Sequence, residues 1–217
     1  MILPPKYIAE FIGSAGLLMV IVGSGIMGES LSPENGAVAL LANSMATGAG
    51  LFVLIHIFQP ISGAHFNPIV TFVEWRSKRV TSRDFFAYGL AQLFGAWVGV
   101  LLTHLMFGKD LFQLSTHDRG QMRFLISEAV ATFGLLLVIL LAGQRSRESV
   151  PLAVALYITA AYWCTSSTSF ANPVVTIARS LTDTFSGLLW TGVPSFVMAQ
   201  FVGAVASYWF SRSLIRS

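Results

Sequence analysis

Two copies of one short motif carry the chemistry available to this chain. Asn67-Pro68-Ile69-Val70-Thr71 recurs as Asn172-Pro173-Val174-Val175-Thr176, an offset of 105 residues (172 less 67). In each copy the asparagine is a good helix N-cap, and the proline suits the first helical position, where its missing N–H would be unpaired anyway. An asparagine so placed still has side-chain N–H donors to offer to a passing oxygen atom. If two such helices met end to end, the positive ends of their dipoles would converge on the same point. That arrangement suits the passage of a neutral, oxygen-bearing solute, which it would reorient at the centre while repelling cations and protons.

The elements that must position these motifs are read from hydropathy. The 217 residues are 54% hydrophobic and only 11% charged, with a mean hydropathy of +0.70. A soluble domain carries about 25% charged residues. Apolar runs near 7–27, 37–58, 85–107, 122–142, 151–169 and 189–211 approach the roughly 20 residues of a membrane span. The first is read as a retained helix and not a signal peptide, because Lys6 alone precedes it and Gly13, Gly16, Gly23 and Gly25 run through it. With the N-terminus inside, nine of the thirteen basic residues fall on the cytoplasmic side: Lys6, Arg76, Lys78, Arg79, Arg83, Arg145, Arg147, Arg212 and Arg216. That matches the positive-inside rule. The net charge of +3 is thus topological, and no nucleic-acid partner is expected. Cys164 has no intramolecular partner and reads as a small apolar residue near the outer end of the fifth span.

The halves of the chain repeat each other beyond the Asn-Pro motifs. Ala9-Glu10-Phe11 matches Ser127-Glu128-Ala129 in opening an apolar helix, and Ala91-Gln92-Leu93-Phe94-Gly95-Ala96 matches Ala199-Gln200-Phe201-Val202-Gly203-Ala204. The repeats run approximately over 1–110 and 118–217, within a single domain of 1–217. Each holds three spans, an odd number, so the second must enter the membrane inverted, which places a functional site where the repeats meet near the midplane. Residues 68–77 and 173–182 are expected to form two re-entrant helices of about 15 Å, half of a ~30 Å hydrocarbon core. The fold class expected is an all-α membrane protein, with six spanning helices and two half-helices in an inverted 3+3 repeat.

The segments Ser62-Gly63-Ala64-His65-Phe66-Asn67-Pro68-Ile69 and Phe170-Ala171-Asn172-Pro173-Val174 resemble the two Asn-Pro-Ala loops of the aquaporin (major intrinsic protein) family. The resemblance covers nearly the whole chain. It implies a right-handed helical bundle, usually a homotetramer with one pore per subunit. Ile69 and Val174 replace the family's usual alanines, and Val175 stands where most members have arginine. The stretch Ala178-Arg179-Ser180-Leu181-Thr182-Asp183-Thr184-Phe185 is similar to a branch found in bacterial arsenic-resistance operons, which implies an inner (plasma) membrane location. Carried over by spacing, the outer filter is Thr47, Ala160, Ser169 and Val175, with Tyr162 the alternative to Ala160. A filter of small, weakly polar side chains lacking arginine would admit uncharged solutes larger than water: glycerol, urea or undissociated arsenous acid. The other readings are a strict water channel and, in a different class, an ion-coupled secondary transporter.

Remaining polar residues receive these expectations. Glu10 and Glu128 brace the two loops by accepting from backbone N–H groups, with a proton relay as the alternative. Arg179 either pairs with Asp183, four residues on, or supplies charge in the outer vestibule. Glu74 pairs with Lys78. His65 packs in the first loop, where its titration would gate the inner mouth. His56, His104 and His117 have no metal-ligand spacing, and no nucleophile–base pair occurs, so neither a cofactor nor an enzymatic activity is expected. Trp75, Trp190 and Trp209 read as interfacial anchors.

Overall fold

A computed structural model describes residues 3–215 and contains no strand among them; Arg216 lies outside the described residues. Helices α1 (Pro5–Leu31), α2 (Gly36–Ser62), the short α3 (Pro68–Arg76) and α4 (Ser82–Met106) make the first half. Helices α5 (Met122–Arg145), α6 (Val150–Cys164), the short α7 (Pro173–Arg179) and α8 (Val193–Ile215) make the second. Five of the long helices are long and apolar enough to cross a membrane. The sixth, α6, has 15 residues and is preceded directly by a 3-10 turn, Arg147–Ser149. Outward-facing Leu90, Phe94, Val130, Leu156 and Val202 are exposed, as a lipid-facing surface requires.

Helix ends follow local chemistry. The Asn35 side chain accepts from the N–H groups of Ala37 and Val38 to open α2, and Gly63, at φ 90°, closes it. Thr81 caps α4 through the Asp84 N–H. Asn67 and Asn172, both in extended backbone, cap α3 and α7.

The fifth span ends earlier than its apolar run, 151–169, suggests. At Thr165 the backbone becomes extended (φ −121°, ψ 138°), and the chain turns inward to reach Asn172. About 22 Å of α6, at 1.5 Å per residue, is therefore all the helix can use before the loop must dip back. The half-helices are likewise shorter than 68–77 and 173–182, ending at Arg76 and Arg179.

Small residues set the packing. A Cβ on Gly95 would run into the Phe11 carbonyl, and one on Gly203 into the Ala129 carbonyl. These are matched positions in the two repeats, and they let α4 lie against α1 and α8 against α5, the close backbone approach typical of helix pairs in lipid. Gly13 makes room in the same way for the ring of Phe66 from the first loop. Trp190 and Trp209 are exposed, whereas Trp75 stacks on Phe85 and donates to Ser82 Oγ.

Candidate functional site

The two loops that deliver Asn67 and Asn172 share an unusual backbone. Ala64 and Phe66 in the first, and Thr168, Ser169 and Ala171 in the second, all have positive φ between 48° and 64°. For a residue with a Cβ this costs about 1–2 kcal/mol each. The compensation comes from two buried carboxylates. Glu10 accepts from the N–H groups of His65 (2.9 Å) and Phe66 (2.8 Å), from Ser62 Oγ (2.6 Å) and from Gln92 Nε2 (2.8 Å). Glu128 accepts from the N–H groups of Phe170 and Ala171 (both 2.9 Å) and from Gln200 Nε2 (2.7 Å). Hydrogen bonds to a charged group contribute about 1.5–3 kcal/mol each, enough to outweigh the strain. With both oxygens of each accepting from fixed donors, Glu10 and Glu128 have a bracing geometry.

The asparagines are joined across the repeat boundary. Asn67 Nδ2 donates to the Ala171 carbonyl and Asn172 Nδ2 to the Phe66 carbonyl, both at 2.8 Å. Each Oδ1 caps its own half-helix, accepting from Ile69 N–H and from Val174 and Val175 N–H respectively. Behind them Thr71 and Thr176 hydroxyls donate to the Asn67 and Asn172 carbonyls, and the same hydroxyls accept from Gln92 and Gln200. Each amide nitrogen has two hydrogens, so one remains available on each side. Pro68, Ile69, Pro173 and Val174 form the first turns of the half-helices. Ile69 and Val174 are buried, and Val174 packs in the central apolar cluster.

A cavity of about 90 Å³ runs past both asparagines, and its walls include Thr47, Tyr162, Ser169 and Val175. A wider chamber of about 780 Å³, lined among others by Lys6, Glu74, Arg79 and Arg212, adjoins it through shared wall residues His65 and Val70. His65 is held by Thr71 Oγ1 at 3.1 Å and an edge contact with Tyr88.

Ala160 is exposed on the outside of α6, so it does not line the cavity. Tyr162 takes that place, with its hydroxyl 3.2 Å from Thr47 Oγ1. The filter candidates are therefore not uniformly small. Ser169 Oγ is buried without a protein partner.

Arg179 also lines the cavity and does not pair with Asp183. Its Nε donates to the Ser186 carbonyl, and its guanidinium carbon lies 3.4 Å from the centre of the Phe170 ring. Asp183 instead accepts from the N–H (2.8 Å) and hydroxyl (2.9 Å) of Thr116, which hold its carboxyl below the usual range. Glu74 pairs with Arg79 and not Lys78.

Arg119, in the connection between α4 and α5, belongs to no motif of the sequence. It donates to the carbonyls of Gly187 (3.1 Å), Ser167 (3.4 Å) and Phe185 (3.5 Å). Burial pushes its pKa below the ordinary arginine value. Its guanidinium carbon is 5.6 Å from the centre of the same Phe170 ring. Nothing in its surrounding polar loop, which has no counterpart motif in the first half, marks it in advance.

Residues 4–150 match the family described as major intrinsic protein. Over 211 residues the chain is 48% identical to an aquaglyceroporin, AqpS, of Rhizobium meliloti (strain 1021), covering 97% of this chain and 90% of that protein. Aquaporin NIP1-1 of Zea mays is 31% identical over 218 residues, covering 97% and 74%. Among solved structures, an aquaglyceroporin from Plasmodium falciparum superposes with a TM-score of 0.71 over 97% of this chain and 96% of that one. At 20% identity, that likeness speaks to the fold alone.

Proposed function

Because this chain belongs to the major intrinsic protein family, we propose that its central cavity is a passive path for small neutral solutes. It is an integral membrane protein and not an enzyme. The solutes we assign are water, glycerol-like polyols and undissociated arsenous acid. The observation that carries this reading is the composition of the cavity wall, which combines three hydroxyl-bearing residues, Thr47, Tyr162 and Ser169, with the apolar Val175 at the position where arginine is usual.

Hydroxyls both donate and accept, so the wall matches a solute that is itself a set of hydroxyls. An arginine would only donate. Ser169 Oγ has no protein partner, so it is free to bond to a solute oxygen or to water. Val175 adds a dry face for a carbon backbone. Asn67 and Asn172 then supply one free N–H each at the centre, where a single oxygen accepting from both would turn and break any hydrogen-bonded chain of waters. The working unit is a homotetramer in a bacterial plasma membrane with both termini cytoplasmic, as the basic residues on the inner connections favour.

Proteoliposomes containing the protein, subjected to osmotic steps of glycerol, urea and arsenous acid beside a water-only control, test the reading by light scattering. Flux linear in concentration and indifferent to proton or sodium gradients is expected for all. Water flux alone would replace this reading with a strict water channel. Saturating, gradient-driven uptake would point to a coupled transporter.

A further inference from the structure

Two buried guanidinium groups share one aromatic ring at the wall of the cavity, and neither has a carboxylate within ion-pair distance among the described residues. Arg179 is only 2% exposed and Phe170 5%. Both Phe170 and Arg179 line the cavity. Arg179 Nε is fixed by the Ser186 carbonyl, while its two Nη groups have no protein partner among the described residues. Arg119 reaches over from the α4–α5 connection and ties three carbonyls of the two outer loops together. Carbonyl oxygens orient these cations without neutralising them, so Arg179 brings a net positive charge to the cavity wall and Arg119 a second one to the Phe170 ring.

We propose that Arg179 and Arg119, held by Phe170, form the cation barrier of this path. Arg179 is anchored on α7 four residues beyond Val175, about 6 Å along the helix and about 40° around its axis. Its guanidinium rests on the Phe170 ring, so a valine at position 175 can admit bulkier neutral solutes while the wall retains an electrostatic toll on any entering cation. Arg179 acts directly from the wall. Arg119 is a positioning residue that also adds charge, because its donors are committed to Ser167, Phe185 and Gly187. The proposal rests on the cavity being the solute path.

The test uses full-length protein in proteoliposomes, with variants Arg179→Gln, Arg119→Gln and the double variant accepted only if they elute as the unmodified protein does. Glycerol flux is read by light scattering, and proton and potassium leak by a trapped pH dye under an imposed potassium gradient. The unmodified protein should pass glycerol with ion leak at the level of protein-free liposomes. Arg179→Gln should raise the leak on the order of tenfold, as expected for removing one like charge near contact distance. The double variant should leak more, and Arg179→Lys should restore exclusion. A double variant that passes glycerol yet excludes ions as the unmodified protein does overturns the proposal. If Arg179→Gln does not fold, Arg179→Met takes its place: the charge goes while an apolar stem against the Phe170 ring remains, and unchanged exclusion there overturns it equally. Absence of glycerol flux in the unmodified protein would instead remove the channel reading, and this inference with it.

Discussion

The hydroxyls of Thr47 on α2 and Tyr162 on α6 lie 3.2 Å apart in the cavity wall, a hydrogen bond between residues 115 positions apart in sequence. It joins two helices in the wall that Val175 and Ser169 also line. Removing the ring with Tyr162→Ala is expected to widen this level, raising erythritol flux relative to glycerol. Tyr162→Phe keeps the width and deletes the hydroxyl, so polyol flux should fall relative to water. Val175→Arg should shift selectivity strongly towards water. Equal glycerol-to-water ratios across the three variants, read by light scattering, would remove these residues from the filter.

Asn172→Leu deletes both the donor to the Phe66 carbonyl and the remaining free N–H. Solute flux is expected to drop to the protein-free background in vesicles whose protein still elutes as an intact oligomer. Flux at the original rate would mean that the asparagine only caps α7.

Glu10 receives four donors and Glu128 three. Glu10→Gln replaces charge-assisted bonds by neutral ones and sets an amide group against backbone N–H donors, at a cost of about 2–4 kcal/mol. Glu128→Gln should cost less. Scanning the unfolding of both variants in detergent should therefore rank apparent Tm as unmodified, then Glu128→Gln, then Glu10→Gln; the reverse order of the variants would contradict the bracing described.

Asp183 ties the α4–α5 connection to the segment after α7 through Thr116, with His117 Nε2 3.9 Å away. The Thr116 N–H, and then its hydroxyl, lower the carboxyl's folded pKa. Its contribution is therefore fully present above the unfolded value of about 3.9 and lost as pH falls through the lower folded one. The hydrogen-exchange protection factor at Thr116 should be the same at pH 7 and pH 5 and fall below about pH 4. Asp183→Asn should show the reduced protection factor already at pH 7.

What repetition and periodicity encode was readable from the chain. Glu10 with Glu128, Gln92 with Gln200, and Asn67 with Asn172 occur in matched order, and matched order exposes structure that no single residue would. Counting along helices failed where helices stop. Spacing from the second Asn-Pro motif points to Ala160 with Tyr162 as the alternative, and because α6 ends at Cys164 it is Tyr162 that occupies the wall. The expected pair Arg179–Asp183 assumed an i,i+4 relation, which requires helix beyond Arg179, where α7 ends. Glu74 likewise meets Arg79 and not Lys78 because α3 ends at Arg76 and Lys78 turns into left-handed backbone. Arg119 could not be found by pattern, since its role depends on a loop crossing the outer face to carbonyls about fifty residues away or more.

The reciprocal bonds from Asn67 to Ala171 and from Asn172 to Phe66 also bear on biogenesis. At about 5–20 residues per second, the ribosome needs roughly 5–20 s to make the chain between the two motifs. For that interval the first loop exists without its opposite number, yet Ala64 and Phe66 already need support. Glu10, Ser62 and Gln92 are synthesised by then or soon after, and the extra Ser62 donor belongs to this loop alone. The denser bracing thus lies on the half that must wait unaccompanied in the translocon. In nascent chains arrested near residue 150, Ala64→Cys should resist a water-soluble thiol reagent, and adding Glu10→Gln should expose it; equal labelling of both would show that the first loop waits unfolded.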